Sequence, residues 1–104
     1  MIRADLHIHT KYSHDASINP KTIVDQLYAH PTIKAIAIAD HNTLEGYHKV
    51  RELASAYNDI LIIPAVETST PQGDIIMLGT EELPPTPWNI QNIIDFAKQR
   101  NALT

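Results

Sequence analysis

Two short isoleucine-rich runs constrain the fold of this chain more than any other feature of its sequence. Residues 34–39 and 60–66 are almost continuously apolar, and each run is too short for a typical helix. Such runs are typical of strands that are buried on both faces of a parallel sheet. Between them, apolar residues recur at helical spacing from Leu44 to Tyr57. The pattern predicts an α/β fold with mainly parallel strands, because parallel neighbours need a crossover of this kind.

The flanking segments continue the alternation of strands and helices. Residues 3–9 predict a first strand, and residues 74–78 predict a last one. Asn19 and Pro20 predict the start of a first helix, since asparagine is a favoured N-cap and proline is favoured in the first turn. Pro31 predicts the end of that helix.

The second and third helices have predicted starts of their own. Asn42 and Glu45 have the spacing of a capping box, which predicts that the second helix begins there. A proline-rich loop at residues 84–87 leads into the third helix. The whole order of elements is predicted to be βαβαββα, with right-handed crossovers. The predicted inward residues of the third helix are Ile90, Ile93, Ile94 and Ala97.

Composition excludes several classes of function. The chain has 104 residues, which is enough for one small domain. Its net charge of −4, without a basic cluster, argues against a broad nucleic-acid surface. It has no cysteine, so disulfides and thiolate metal ligands are excluded. The absence of cysteine is compatible with a protein that works in a reducing compartment.

The sequence also lacks a membrane-spanning segment, since no apolar run approaches the roughly 20 residues that cross a bilayer. We therefore expect a cytoplasmic protein that does not contact membranes.

Metal-binding types of side chain occur where three predicted strands end. His7 and His9 are two residues apart, so they share one face of the first strand. Asp40 and His41 directly follow the second strand, and Glu67 directly follows the third. In parallel α/β folds, the carboxyl ends of the strands meet at one rim. Two imidazoles beside a carboxylate can bind a transition-metal ion at such a rim.

Each of these residues also has a purely structural interpretation. Asp40 fits a helix cap, His41 fits a surface loop, and Glu67 fits a solvated strand end. A single histidine in a strand also fits a hydrogen-bonded core position. Two histidines at one strand end, with a carboxylate nearby at Asp15, favour metal binding for that pair.

The chain resembles the PHP (polymerase and histidinol phosphatase) family in four segments. These are Asp5–Thr10, Ser13–Asp15, Ala37–Thr43 and Pro64–Glu67. They occur in the order found in the family, and the match covers nearly the whole chain. The resemblance implies the N-terminal half of a distorted (β/α)7 barrel, whose complete C-terminal rim holds two or three divalent metal ions. It also implies a metal-dependent phosphoesterase, which hydrolyses a phosphoester with metal-activated water.

The resemblance also implies a set of metal ligands. His7, His9 and Glu67 would bind one ion, with Glu67 bridging to the others. Asp15 and His41 would bind a neighbouring ion. The ions would be zinc, manganese or iron, since each of these accepts mixed imidazole and carboxylate ligands.

Three further residues would support the site. Asp40 would orient a ligating histidine by accepting a hydrogen bond from its other ring nitrogen. His14 or Lys11 would contact a phosphate oxygen of the substrate. By resemblance, that substrate is a small phosphorylated molecule or a nucleotide.

The chain also departs from the family pattern. The family has later ligands, namely an Ala-His-Pro motif, another histidine and an Asp-x-His pair, whereas the last histidine here is His48. We therefore expect residues 1–104 to be the N-terminal part of a single PHP domain whose C-terminal half is absent. An open half-barrel leaves a sheet edge exposed, so we expect a homo-oligomer or a complementing C-terminal half.

Two other functions fit the same residues. A degenerate PHP-like module would bind a metal or a partner without catalysis, because metal catalysis needs a complete ligand set. A metal-dependent amidohydrolase also has a His-x-His pair at the end of a first barrel strand. Asp15 and the Asp40–Thr43 run argue against the amidohydrolase.

Overall fold

The computed structural model describes residues 3–14 and 16–104. The predicted order βαβαββα and the α/β class are confirmed. Among the described residues, no helix is long and apolar enough to cross a membrane. The elements are β1 (Arg3–Ile8), α1 (Pro20–Ala29), β2 (Ile33–Ile38), α2 (Glu45–Ala54), β3 (Leu61–Thr70), β4 (Gly73–Leu78) and α3 (Ile90–Gln99).

The four strands form one sheet in the order β1-β2-β3-β4. β1 pairs with β2 and β2 pairs with β3 in parallel, whereas β3 and β4 are antiparallel. The prediction of mainly parallel strands is therefore confirmed. Because the three parallel strands run in one direction, their carboxyl ends lie at the same edge of the sheet.

The two faces of the sheet carry side chains of different size. Large apolar residues of β2 and β3 belong to one cluster with α1 and α2, whereas on the other face the fully buried residues are alanines, against which the partly buried Ile63, Ile76 and Leu78 pack. The large cluster includes Val24, Leu27, Ile36, Ile38, Tyr47, Val50, Ile62 and Val66. The small cluster consists of Ala37, Ala39 and Ala65.

The predicted capping box of the second helix is wrong. α2 begins at Glu45 with Leu44 at the N-cap position, and Leu44 provides no side-chain capping bond. Asn42 instead has a φ of 62°, in the left-handed region, and its side chain exchanges two hydrogen bonds with Ser69 of β3. The carboxamide of Asn42 therefore ties the loop after β2 to the neighbouring strand.

β3 is longer than predicted. Its parallel pairing with β2 ends at Pro64, but antiparallel pairing with β4 continues to Thr70. Pro64, the residue predicted to mark an irregularity near the end of this strand, lies in the middle of β3 and pairs with Ile38. Glu67 consequently lies inside a strand and not directly after one, because β4 supplies the backbone partners that extend β3.

The prediction for the third helix is correct in position and partly wrong in its inward face. Ile93 and Ala97 are buried as predicted, and Ile94 is half-buried. Ile90 is exposed because it is the first residue of α3. Phe96, which was not among the predicted inward residues, is buried.

Candidate metal centre

The two N-terminal histidines lie where β1 ends. His7 is in the strand and His9 directly follows it, one residue later than the strand's last residue. The backbone N–H of Ala39 donates to the carbonyl of Ile8 at 2.8 Å, which fixes this end of β1 beside the end of β2. The Nε2 atoms of His7 and His9 are 3.0 Å apart. The predicted common direction of the two imidazoles is therefore observed.

Glu67 brings a carboxylate to the same point from β3. Its Oε1 lies 2.7 Å from His7 Nε2 and 3.0 Å from His9 Nε2. The side chain of Glu67 is largely buried, and that of His7 is half exposed. Three donor atoms from two strands that are not neighbours in the sheet thus converge at the rim.

These three atoms suit a cation better than they suit one another. Each imidazole Nε2 carries either one hydrogen or one lone pair, so the three atoms cannot all be joined by hydrogen bonds at once. A divalent cation accepts a lone pair from each atom, and two imidazoles with one carboxylate are a common zinc-type ligand set. The residues present therefore fit the metal that the resemblance implies.

The local environment favours the ionised form of the Glu67 carboxylate. Burial raises the pKa of Glu67, but hydrogen bonds from His7 and His9 and the nearby His41 more than offset this effect. The pKa of Glu67 consequently lies below its usual value. The carboxylate is therefore ionised at neutral pH, as metal binding requires.

His41 is placed beside this group by the backbone. The N–H of Glu67 donates to the carbonyl of Asp40 at 3.0 Å, and the N–H of Asn42 donates to the carbonyl of Glu67 at 3.0 Å. These bonds form an isolated parallel bridge three residues beyond the last regular pair of β2 and β3, so His41 lies opposite Glu67. The imidazole of His41 is 4.7 Å from that of His9 between ring centroids.

Asp40 is hydrogen-bonded to the residue that follows His9, and its role in orienting a ligating histidine stays a prediction. The side-chain hydroxyl of Thr10 donates to Asp40 Oδ2 at 2.6 Å, and the backbone N–H of Thr10 donates to Oδ1. Asp40 is fully buried against the first turn of α2, where a Cβ atom on Gly46 would collide with Asp40 Oδ2 and Thr10 Oγ1. Asp40 therefore joins the loop after β1 to the loop after β2.

A carboxylate that the sequence analysis missed also reaches the site. Asp74 Oδ2 lies 4.0 Å from His41 Nδ1, and the donor atoms of Asp74, His41 and Glu67 lie within 4.8 Å of one another, close enough that they could hold a metal ion. The sequence rule considered only the carboxyl ends of parallel strands, but β4 is antiparallel and its first residues lie at the same edge. The hairpin spacing after Glu67 is the signal that could have identified Asp74.

The remaining predicted residues lie at the edge of the site or outside the described part of the chain. Asp15 lies outside the described residues. The exposed His14 has its ring centroid 4.7 Å from that of His41. Lys11 is exposed, and its Nζ lies 5.7 Å from the ring centroid of Tyr12. Substrate contact by His14 and Lys11 stays a prediction.

Comparison with known proteins gives one family and one relative of unassigned activity. The sequence model of the PHP domain matches residues 5–101. An uncharacterized protein of Methanocaldococcus jannaschii is 30% identical to this chain over 112 aligned positions. The alignment covers 98% of this chain and 64% of the relative, so the chain spans about two thirds of the relative's length.

Among the solved structures that share the fold are a phosphoesterase candidate and an amidohydrolase. A candidate metal-dependent phosphoesterase of Bifidobacterium adolescentis is 27% identical, with a TM-score of 0.59 over 72% of this chain and 26% of that one. An amidohydrolase of Chromobacterium violaceum is 22% identical, with a TM-score of 0.58 over 91% of this chain and 32% of that one. The mostly parallel four-stranded sheet thus corresponds to a curled half-barrel.

Proposed function

Because this chain belongs to the PHP domain family and folds as part of a PHP-type barrel, we propose that it takes part in metal-dependent phosphoester hydrolysis. The observation that supports this most strongly is the convergence of His7, His9 and Glu67 at 2.7 to 3.0 Å. His41 adjoins the group and would bind a neighbouring ion together with Asp15, as the family resemblance implies.

The residues of the chain have separate roles in this proposal. Divalent cations, when bound, would supply an activated water at neutral pH and neutralise charge on the phosphoryl oxygens. His7 and His9 would hold a cation through Nε2, and Glu67 would add negative charge to the site. Asp40 holds the ligand-bearing loop in place through Thr10.

The substrate that fits is a small phosphorylated molecule or a nucleotide. The site is open, since His7 and His14 are exposed at the rim. The chain is acidic overall, with a net charge of −4, so it repels phosphate unless cations occupy the rim. His14 and Lys11 would add local contacts to phosphate oxygens in this arrangement.

We further propose that the site is completed by additional ligands. The chain spans only 26% and 32% of the two solved structures that it resembles. Residues 1–104 would then act as the N-terminal part of a single PHP domain. A complementing C-terminal half or a second copy of the chain would be the partner, in a cytoplasmic setting.

Metal analysis of single variants tests the site. H7A and H41A should each lower the amount of zinc or manganese bound per chain. H48A is the matched control, because His48 is exposed on α2 and belongs to neither metal-ligand group among the described residues. Unchanged metal content in both H7A and H41A would contradict the assignment.

Enzyme assays separate the proposed reaction from its alternatives. A phosphomonoester and a cyclic amide should be offered to the chain with added zinc or manganese. Release of phosphate alone supports the phosphoesterase, and hydrolysis of the amide alone supports an amidohydrolase. Metal binding without either activity supports a module that binds metal without catalysis.

A further inference from the structure

The rim carries a second group of metal-ligating side chains that includes a residue from the antiparallel strand. We propose that Asp74 is a metal ligand which, with His41 and Glu67, forms a second cation site with a stronger preference for hard cations than the His7-His9-Glu67 site. This inference rests on the proposed function, since it concerns the neighbouring cation position of the same centre.

The hairpin places Asp74 on the same face of the sheet as Glu67. Ser69 pairs with Asp74, and Glu67 pairs with Ile76. Directly opposed residues of an antiparallel pair share a face, and alternate residues along a strand do so as well. Asp74 is therefore the diagonal neighbour of Glu67, within reach of a common ligand.

His41 is tied to the same strand pair as Asp74. Asn42 Oδ1 accepts from the N–H of Ser69 at 3.0 Å, and Asn42 Nδ2 donates to Ser69 Oγ at 3.3 Å. Since Ser69 is the backbone partner of Asp74, these bonds bring His41 towards the start of β4. Hydrogen bonds therefore hold the loop after β2 close to the β3–β4 hairpin.

The donor separations suit a shared cation. Ligand atoms about 2.0–2.2 Å from one ion lie at most about 4.4 Å apart. His41 Nδ1 and Asp74 Oδ2 are 4.0 Å apart, and all donor atoms of the group lie within 4.8 Å of one another. Asp74 is 46% exposed, so a small rotation of its side chain meets little steric resistance.

The two sites differ in ligand chemistry. The His7-His9-Glu67 site offers two imidazoles and one carboxylate, whereas the second site offers one imidazole and two carboxylates. Imidazole suits zinc, and carboxylate oxygen suits manganese and magnesium. The ratio of zinc affinity to manganese affinity should therefore be smaller at the second site.

Manganese titration of the zinc-loaded chain tests this inference. The full chain is given one equivalent of zinc, and loss of the free Mn²⁺ electron paramagnetic resonance signal then reports manganese binding. D74N should weaken manganese binding by at least about tenfold, because it removes one anionic ligand. Zinc affinity measured separately should change less than about twofold.

The matched control is D59N, which makes the same chemical change elsewhere. Asp59 is 52% exposed against 46% for Asp74, and it belongs to neither metal-ligand group among the described residues, so it matches Asp74 in exposure alone. Manganese binding should be unchanged in D59N, and circular dichroism should show that both variants are folded.

The outcomes separate this inference from the proposed function. Equal manganese affinity in D74N and the unmodified chain, with zinc bound normally, would overturn the role of Asp74 and leave the proposed function standing. Absence of zinc binding by the unmodified chain would overturn both. Selective loss of manganese binding in D74N supports the second site.

Discussion

The two faces of the sheet are built for different tasks. On the face covered by α1 and α2, β2 and β3 contribute large side chains such as Ile38 and Val66, and both are almost completely buried. On the other face, the buried residues are Ala37, Ala65 and, directly after β2, Ala39, and the partly buried Ile63, Ile76 and Leu78 pack against them. That face continues at its rim into the imidazoles and carboxylates of the candidate metal centre. Most apolar burial, and hence most of the folding free energy, lies on the helix-covered face.

This division means that stability and metal binding should respond to different substitutions. Packed apolar side chains determine the free energy of unfolding, whereas His7 and Asp74 at the rim are half-exposed polar groups whose removal leaves no cavity in the core. Asp40 and Glu67 are the exceptions, because both are buried, and Asp40 also holds the loop after His9.

I38A should have the largest effect on stability. Ile38 is fully buried in the large cluster, so truncation should lower the free energy of unfolding by about 2–5 kcal/mol. Urea denaturation measures this loss. Zinc affinity of the folded fraction should stay within about twofold of the original. A large loss of zinc affinity with unchanged stability would show that the two faces are not separate.

G46A should have an intermediate effect on stability and should also lower zinc affinity. The added methyl group would collide with Asp40 and Thr10, and overpacking of this kind costs about 1–3 kcal/mol. The displaced loop should also lower zinc affinity. Thermal unfolding and zinc titration measure the two effects, and the exposed helix variant K49A serves as the control. Lower thermal stability with unchanged zinc affinity would show that the position of Asp40 does not affect zinc binding at the candidate metal centre.

The smallest effect should be a pH dependence on the helix-covered side. Burial raises the pKa of Tyr47 to about 12, with a further rise from its hydrogen bond to Glu81. Because the unfolded chain ionises this tyrosine near pH 10, its contribution to stability is complete below pH 10 and is lost as pH rises towards 12. Ultraviolet titration should show one tyrosine that ionises late, and Y47F should remove that step. Uniform ionisation near pH 10 would contradict the packing of Tyr47.

The sequence predicted the parts of the fold that local patterns determine. The isoleucine runs identified β2 and β3, and Asn19 with Pro20 identified the start of α1, where Asn19 caps as expected. Hydrophobic periodicity and N-caps involve residues that are near one another in the chain, so one sequence is enough to recognise them.

The sequence failed where contacts are distant along the chain. Asn42 has the spacing of a cap, but its side chain bonds to Ser69 of β3. Glu67 looked like a strand terminus because its antiparallel partners arrive only with β4. Asp74 was missed for the same reason, since the pairing of β3 with β4 brings it to the rim. Local propensity does not encode such pairings.

X-ray absorption at the zinc edge tests the central claim most directly, because it reports the atoms around the ion. The chain with one equivalent of zinc should show two imidazole nitrogens and a carboxylate oxygen at about 2.0–2.2 Å. H9A should lose one imidazole from this spectrum. A shell that contains only oxygen, or a spectrum that H9A leaves unchanged, would contradict a metal centre formed by His7, His9 and Glu67.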